Sequence, residues 1–452
     1  MANLETLSTL FENKNYTEFM RAIDDTEPID IAEFLSSLPE QRQLSVFRMF
    51  KKDIAAEIFA ELESDVQERI ISSVTDTELS AMLEELYVDD TVDMLEELPA
   101  NMVKRILQVA KPDTRAIINK FLSYPENSAG SIMTAEFIDL RKSMTVGEAI
   151  AHIRKTGIDK ETVYVAYVTG SARVLEGTIH LEELLFADDT TLIGDVMDTD
   201  FVFAGTHDDK ETVASLISKY DLLALPVVDR EQRLVGIVTV DDAIDVIEDA
   251  ATEDIEMMGA ITPTDKPYLK TGVFETFKTR IPWLLLLMVS ATFTGQIITS
   301  FEDALSAFPM LIAFIPMLMG TGGNSGGQSS VTVIRGLALD EIKMGDILRV
   351  VWKELRIALL CGVVLAVCNF VKIILVDNLI FRNGMDPMSS LVVSLTLLVT
   401  VLVAKIIGAS LPILAKRVGF DPAVMASPFI TTIVDAVSLI IYFAFAKLIL
   451  GV

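Results

Sequence analysis

From residue 281 onward the chain consists of long apolar runs, and few features restrict a fold more than the need to hide or lipid-expose so many consecutive apolar residues. The runs 281–301 and 304–334 carry no charge, 357–376 carries only Lys372, 387–415 only Lys405, and 423–446 only Asp435. A helix needs about 20 such residues to cross a bilayer, so five crossings are expected.

The short loops give these spans a direction. Arg335, Lys343, Arg349, Lys353 and Arg356 lie between the second and third spans, Lys416 and Arg417 between the fourth and fifth, and Lys278 and Arg280 ahead of the first. The opposite loops carry mainly Glu302, Asp303, Asp377 and Asp386 with one Arg382. Basic loops stay in the cytoplasm, which puts the N-terminus inside and the C-terminus outside. Trp283 and Trp352 then fall at cytoplasmic span ends, at headgroup level.

Residues 281–452 hold 11 Lys and Arg against 10 Asp and Glu, leaving 26 against 55 for residues 1–280, a net charge of −29. So acidic a domain repels nucleic acid and attracts cations. The first thirty residues show no apolar core behind positive charge, so this half is expected in the cytoplasm. Cys361 and Cys368, the only cysteines, lie in one apolar run, about 10 Å apart along a helix, which suits neither a disulfide nor zinc. His152, His180 and His207 show no zinc spacing and sit beside no nucleophile pattern, and no phosphate-binding glycine loop follows a strand. An enzyme is not expected.

Two repeats organise the acidic half. Segments beginning at Asp30, Asp53 and Asp90 each place apolar residues three and four apart, which predicts a stack of amphipathic helices ending near Tyr124-Pro125. Further on, Ile132-Met133-Thr134 resembles Val196-Met197-Asp198, and the stretch from Gly177 to Leu185 resembles that from Gly236 to Ile244. Each reads as a buried strand running into a helix that opens with paired acids. The pattern, strengthened by Leu225-Pro-Val-Val-Asp229, resembles a tandem pair of CBS modules, candidates to hold ATP or another adenine nucleotide. The connector after Asp241 is acidic, with Asp242, Asp245 and Asp249 on one helical face. A divalent cation relieves the repulsion among such carboxylates.

The membrane part carries two unusual segments. Gly320, Gly322, Gly323, Gly326 and Gly327 crowd around Asn324 and Gln328, which predicts an interrupted helix lining a water-filled path, the alternative being a packing motif of small residues. An ionisable group such as Asp435 is costly at that depth and faces either a partner or such a path. Ser427, Thr431 and Asp435 share a face, and hydroxyls with a carboxylate suit a hard cation such as magnesium or calcium rather than zinc or copper. The alternative for Asp435 is an ion pair with Lys405 or Lys372.

Pro316-Met-Leu-Met-Gly-Thr-Gly-Gly-Asn-Ser-Gly-Gly-Gln328 and Asp421-Pro-Ala-Val-Met-Ala-Ser-Pro-Phe-Ile-Thr-Thr-Ile-Val-Asp435 resemble the two signature segments of the MgtE family of magnesium channels, and the likeness extends over essentially the whole chain. It implies a multidomain α-helical membrane protein with a helical superhelix N domain over 1–127, α/β CBS modules over 128–192 and 193–247, a connecting plug helix and linker over 248–280, and five membrane helices over 281–452. It also implies a homodimer in the plasma membrane, with magnesium passing between the two membrane domains. Asp435 would be the selective site and Asn324 would lie nearby, with the hydrated ion recognised through its waters. Regulatory magnesium would bind at Asp89, Asp93, Glu211, Asp221, Asp242, Asp245, Glu253, Asp254 and Asp421, closing the pore when internal magnesium is high. Two positions depart from the family pattern: Ser427 stands where an asparagine is expected, and Ala250 where an acid is. Two other readings are a proton- or sodium-coupled divalent-cation transporter and a non-conducting CBS-type membrane sensor.

Overall fold

The computed structural model describes residues 4–264, 268–269, 271–301, 306, 308–339, 341–425 and 427–451, with the side chains of residues 4, 5, 53, 97, 159 and 427 outside the description. Glu302 and Asp303, and the side chain of Ser427, therefore lie outside the described residues. The chain divides into two compact units, Met1–Ile247 and Glu248–Val452.

The first unit opens with ten short helices, from α1 (Leu4–Glu12) to α10 (Pro112–Phe121). The three repeated acidic segments form α3 (Pro28–Ser37), α5 (Lys52–Ala60) and α8 (Val88–Glu97). Their apolar stripes meet in one core that includes Phe34, Leu35, Ile58, Phe59, Met94 and Leu95. Val88 and Val92 of α8 turn the other way. With Phe121 they join Val213, Leu225 and Val238 in a second core, which ties the helical stack to the following α/β region.

That region contains two three-stranded sheets of matching topology. In the first, β1 (Ile138–Leu140) pairs parallel with β2 (Val165–Thr169), and β2 pairs antiparallel with β3 (Leu175–His180). In the second, β4 (Ala204–Gly205), β5 (Ala224–Val228) and β6 (Leu234–Thr239) repeat this order, with a register shift at the corresponding place. The copies also exchange edges: Thr134 bridges to Ile237, and Thr178 to Asp198. This exchange explains the repeated glycines. A Cβ on Gly177 would fall 2.8 Å from Asp198 O, and one on Gly236 2.8 Å from Thr134 O, so only glycine admits the neighbouring copy.

The paired acids that follow each glycine start helices. Glu183 Oε2 accepts from the His180 N–H at 2.9 Å, at the start of α12 (Leu181–Phe186). Asp242 Oδ2 accepts from the Thr239 hydroxyl at 2.5 Å and more weakly from its N–H at 3.3 Å. Each reaches back to the residue before its helix, satisfying a donor that the helix cannot. Before them comes α11 (Val146–Thr156), between them lie α13 (Ile193–Val196) and α14 (Lys210–Tyr220), and α15 (Val240–Met258) follows β6. The helix expected within 248–280 thus begins at Val240, because the strand β6 passes directly into it.

The second unit is helical. Its long helices are α16 (Val273–Ser300), α17 (Ile315–Ala338), α18 (Ile347–Lys372), α19 (Pro387–Val418) and α20 (Ser427–Leu450). Among the described residues four segments are long and apolar enough to cross a membrane, those containing α16, α18, α19 and α20. The fifth, α17, has 24 residues, about 36 Å at the helical rise, and its glycines, serines, Asn324 and Gln328 dilute its apolar character. Asp386 caps α19 by accepting from the N–H groups of Met388 at 3.1 Å and Ser389 at 3.0 Å, and Gly419, with φ +88°, ends it. Cross-contacts fix directions: Gly322 meets Thr400, Gly326 meets Gly408, and Lys416 donates to Leu337 O, so α17 and α19 run parallel. Alternating crossings require that arrangement of the second and fourth spans.

Candidate ion pathway and acidic cluster

The glycine-rich segment does not interrupt its helix. Residues Gly320 to Gln328 lie inside the continuous α17, whose backbone bonds to itself as lipid depth demands. The glycines serve close packing instead. A Cβ on Gly322 would fall 2.8 Å from Thr400 Cγ2 of α19 and 2.9 Å from Val434 Cγ1 of α20. One on Gly323 would fall 2.9 Å from Thr431 Cγ2, and one on Gly326 2.8 Å from Ile430 Cγ2. Small residues let backbones approach where lipid supplies no hydrophobic drive.

The opposite side of α17 is polar and uncovered. Gly320, Asn324 and Gln328 are exposed and four apart, so they form one stripe across the middle of the helix. On the adjoining α20, Thr431 packs against Gly323, and Asp435 follows one turn later, half-buried. Asp435 Oδ1 is buried and makes no hydrogen bond. Such an oxygen is costly unless a cation or its hydration water meets it.

Neither nearby lysine neutralises Asp435. Lys405 Nζ lies 3.3 Å from Ser329 Oγ and 3.9 Å from Glu354 Oε2. Lys372 Nζ lies 3.0 Å from Asp377 Oδ2, an ion pair by distance whose angles do not make a hydrogen bond. Both lysines named as alternative partners of Asp435 thus stand against other carboxylates. Just ahead of the N-terminal end of α20, Asp421 Oδ1 accepts from the Ala423 N–H at 2.6 Å, at the head of the 3-10 turn Pro422–Met425.

A second concentration of carboxylates lies in the first unit. Val88 and Val92 enter the core beneath the second sheet and carry Asp89 inward with them. Asp89 is only 8% exposed, and its Oδ1 has no hydrogen-bond partner. Burial, then the charges of Asp90, Asp242, Glu161 and Glu136, push its carboxyl well above the usual range. Burial and mutual repulsion likewise raise Asp90 and Asp242 to about 6 and Glu161 to about 7. Glu161 Oε2 is also buried without a partner. Oxygen donors so crowded and so poorly solvated fit a hard divalent cation.

Sequence reasoning named Asp89 and Asp242 here and missed Asp90, Glu136 and Glu161, since nothing local marks an acid whose neighbours are distant in sequence. The remaining acids are spread out. Asp93 is exposed one turn beyond Asp89, and Asp245 lies near enough to Glu61 to raise its pKa, after burial. Glu211 is in the first turn of α14, and Asp221 ends that helix at φ 52°. Glu253 is exposed and Asp254 half-buried on α15. Among the described residues no group of three or more His, Cys, Asp or Glu is already arranged to hold a metal ion.

Comparison with known proteins covers both units. The model of the divalent cation transporter family MgtE matches residues 315–445, that of the MgtE intracellular N domain residues 26–127, and that of the CBS domain residues 193–249. The chain is 35% identical over 432 residues to the magnesium transporter MgtE of Thermus thermophilus, covering 95% of this chain and 94% of the relative. It is 31% identical over 441 residues to that of Bacillus subtilis, covering 97% and 95%. Among solved structures, the soluble part of a magnesium transporter is 31% identical with a TM-score of 0.52, covering 55% of this chain and 98% of that one. The cytosolic domain of the magnesium channel MgtE in complex with ATP is 33% identical with a TM-score of 0.50, covering 54% and 99%.

Proposed function

The chain belongs to the MgtE family of magnesium transporters, multi-pass membrane proteins that are not enzymes, and from that premise we propose that it is a homodimeric magnesium channel gated by internal magnesium. The observation that carries this reading is the stripe Gly320, Asn324 and Gln328, exposed across the middle of α17 in a single chain, which the second span's crossing would put at mid-membrane depth. Polar groups at that depth do not face lipid, so they face water and a second copy of the chain. Asp435, Thr431 and Asn324 then border the path, with Ser427 at its cytoplasmic end, and recognise the ion through its hydration shell.

The gate is the acidic region. With little magnesium inside, repulsion among Asp89, Asp90, Glu161 and Asp242 loosens the helical stack from the sheets. Bound magnesium relieves that repulsion and favours the compact state, in which α15 closes the pore. Asp93, Glu211, Asp221, Asp245, Glu253, Asp254 and Asp421 supply further carboxylates for the same state. A ligand shifts such an equilibrium only by binding one state better, so these sites must be complete only in the closed form. The CBS pair is the candidate holder of ATP, as the relative crystallised with that nucleotide suggests. Magnesium enters the cytoplasm across the plasma membrane by this route.

The test is single-channel recording from excised patches with magnesium as the only permeant cation, stepping cytoplasmic magnesium from low to high. Unitary currents that vanish on the step are expected. Uptake without unitary currents would instead indicate a coupled transporter, and absence of both a sensor.

A further inference from the structure

Three membrane helices meet at one buried polar cluster that the ion path does not include. The Ser329 hydroxyl of α17 donates to Glu354 Oε2 of α18 at 2.6 Å. Lys405 of α19 donates to the same hydroxyl at 3.3 Å, and its ammonium stands 3.9 Å from the Glu354 carboxylate. The side chains of Lys405 and Glu354 are 6% and 10% exposed, and Ser329 is buried. The serine thus relays a cation to an anion, and each helix contributes one member.

Its position along α17 is informative. Ser329 lies one turn from Gly326, and Lys405 one turn from Gly408, where the two helices touch backbone to backbone. The neighbouring Ser330 donates to Met425 O at 3.0 Å, anchoring α17 to the turn that precedes α20. Asn324 and Gln328 lie on the other side of the same helix, within five residues of Ser329. A rotation of α17 large enough to move the Asn324 stripe would have to break the cluster.

We propose that Ser329, Glu354 and Lys405 are positioning residues that hold α17 in the rotation presenting Asn324 and Gln328 to the ion. This rests on the reading of that stripe as the ion path. A buried ion pair is a poor source of stability, since replacing both partners by apolar residues of similar size is often neutral or better, whereas removing one leaves an uncompensated charge. What a serine-bridged pair supplies is a fixed geometry, because its hydrogen bonds are satisfied in one register only.

Stability and ion preference therefore separate in a double replacement. Lys405→Met or Glu354→Met alone should lower the melting temperature of the purified full-length protein and its magnesium uptake. The double variant should recover the melting temperature but keep uptake reduced about tenfold, the usual effect of losing an outer-shell partner, and its preference for magnesium over calcium should relax. Ser329→Ala, a mild change, should keep normal melting and still shift the preference, and Lys405→Arg with Glu354 intact should restore it in part. A double variant with wild-type uptake and preference, or an unaltered Ser329→Ala, would overturn the proposal. Absence of magnesium uptake by the unaltered protein would instead remove the transport reading beneath it.

Discussion

A methyl group placed on Gly408 would land on the carbonyl oxygen of Gly326, so α17 and α19 meet there with no side chain between them. The parallel pair is spaced by backbone, and α20 closes on the same stretch of α17 from the other side through Ile430 and Val434. Gly408→Ala must therefore push two helices apart rather than turn one side chain. A loss at the upper end of the about 1–3 kcal/mol range for overpacking is expected, together with loss of uptake. Gly320→Ala supplies the contrast: its Cβ would meet nothing within 4 Å, so the protein should fold and melt as the parent does. Thermal melts of the two variants in detergent check both statements.

Asp435 lies one turn beyond Thr431, which packs on Gly323, and its Oδ1 is buried without a hydrogen bond. Replacing it by Ala removes the charge and the oxygens together, and magnesium uptake should vanish while the melting temperature holds or rises, because a desolvation penalty disappears with the carboxylate. Radiotracer or fluorescent uptake in reconstituted vesicles measures the first, and undiminished flux would count against the assignment.

The sequence made the periodic elements legible and left the tertiary coincidences hidden. Long apolar runs and the acid-initiated helices are local patterns, and the structure places helices on them; within the span expected at 304–334, α17 starts at Ile315, directly after a 3-10 turn, Pro309–Phe314. The glycine run was misread as a break because composition alone cannot distinguish a helix that opens from one that approaches its neighbour closely. Only the contacts of Gly322, Gly323 and Gly326 decide it. Glu354 stayed hidden among the basic residues near the start of the third span, and its partner Lys405, on the next helix, is 3.9 Å away in space but fifty-one residues off in sequence. Asp89 was legible as an acid, whereas its company of Glu136 and Glu161 depends on the packing of α8 onto the second sheet.

Asp245 and Asp254 lie on one continuous helix, α15, that carries the acidic face of the connector. Neutralising both, as Asp245→Asn with Asp254→Asn, removes two of the charges whose repulsion bound magnesium would relieve. The variant should conduct at low internal magnesium as the parent does and fail to close as internal magnesium rises. Normal closure in patch recordings would exclude this pair from the gate.

The buried carboxylates of the first unit make stability depend on pH in the absence of magnesium. Asp90 and Asp242 sit at about 6 and Glu161 at about 7, all above the ordinary carboxylate range, and burial also pushes Asp89 well above it. Each of these groups holds its proton more tightly when folded. The stabilisation they provide is complete below the unfolded values of about 4 and is lost as pH rises through the folded values. Without magnesium, the melting temperature of the full-length protein should therefore rise on acidification from about pH 8 to about pH 5. Magnesium competes with those protons for the same oxygens, so it should raise the melting temperature more at the higher pH, and its binding should release protons into a weak buffer. Equal magnesium increments at both pH values would place the bound ions elsewhere, whereas loss of the pH dependence in Asp89→Asn with Glu161→Gln would locate it at this cluster.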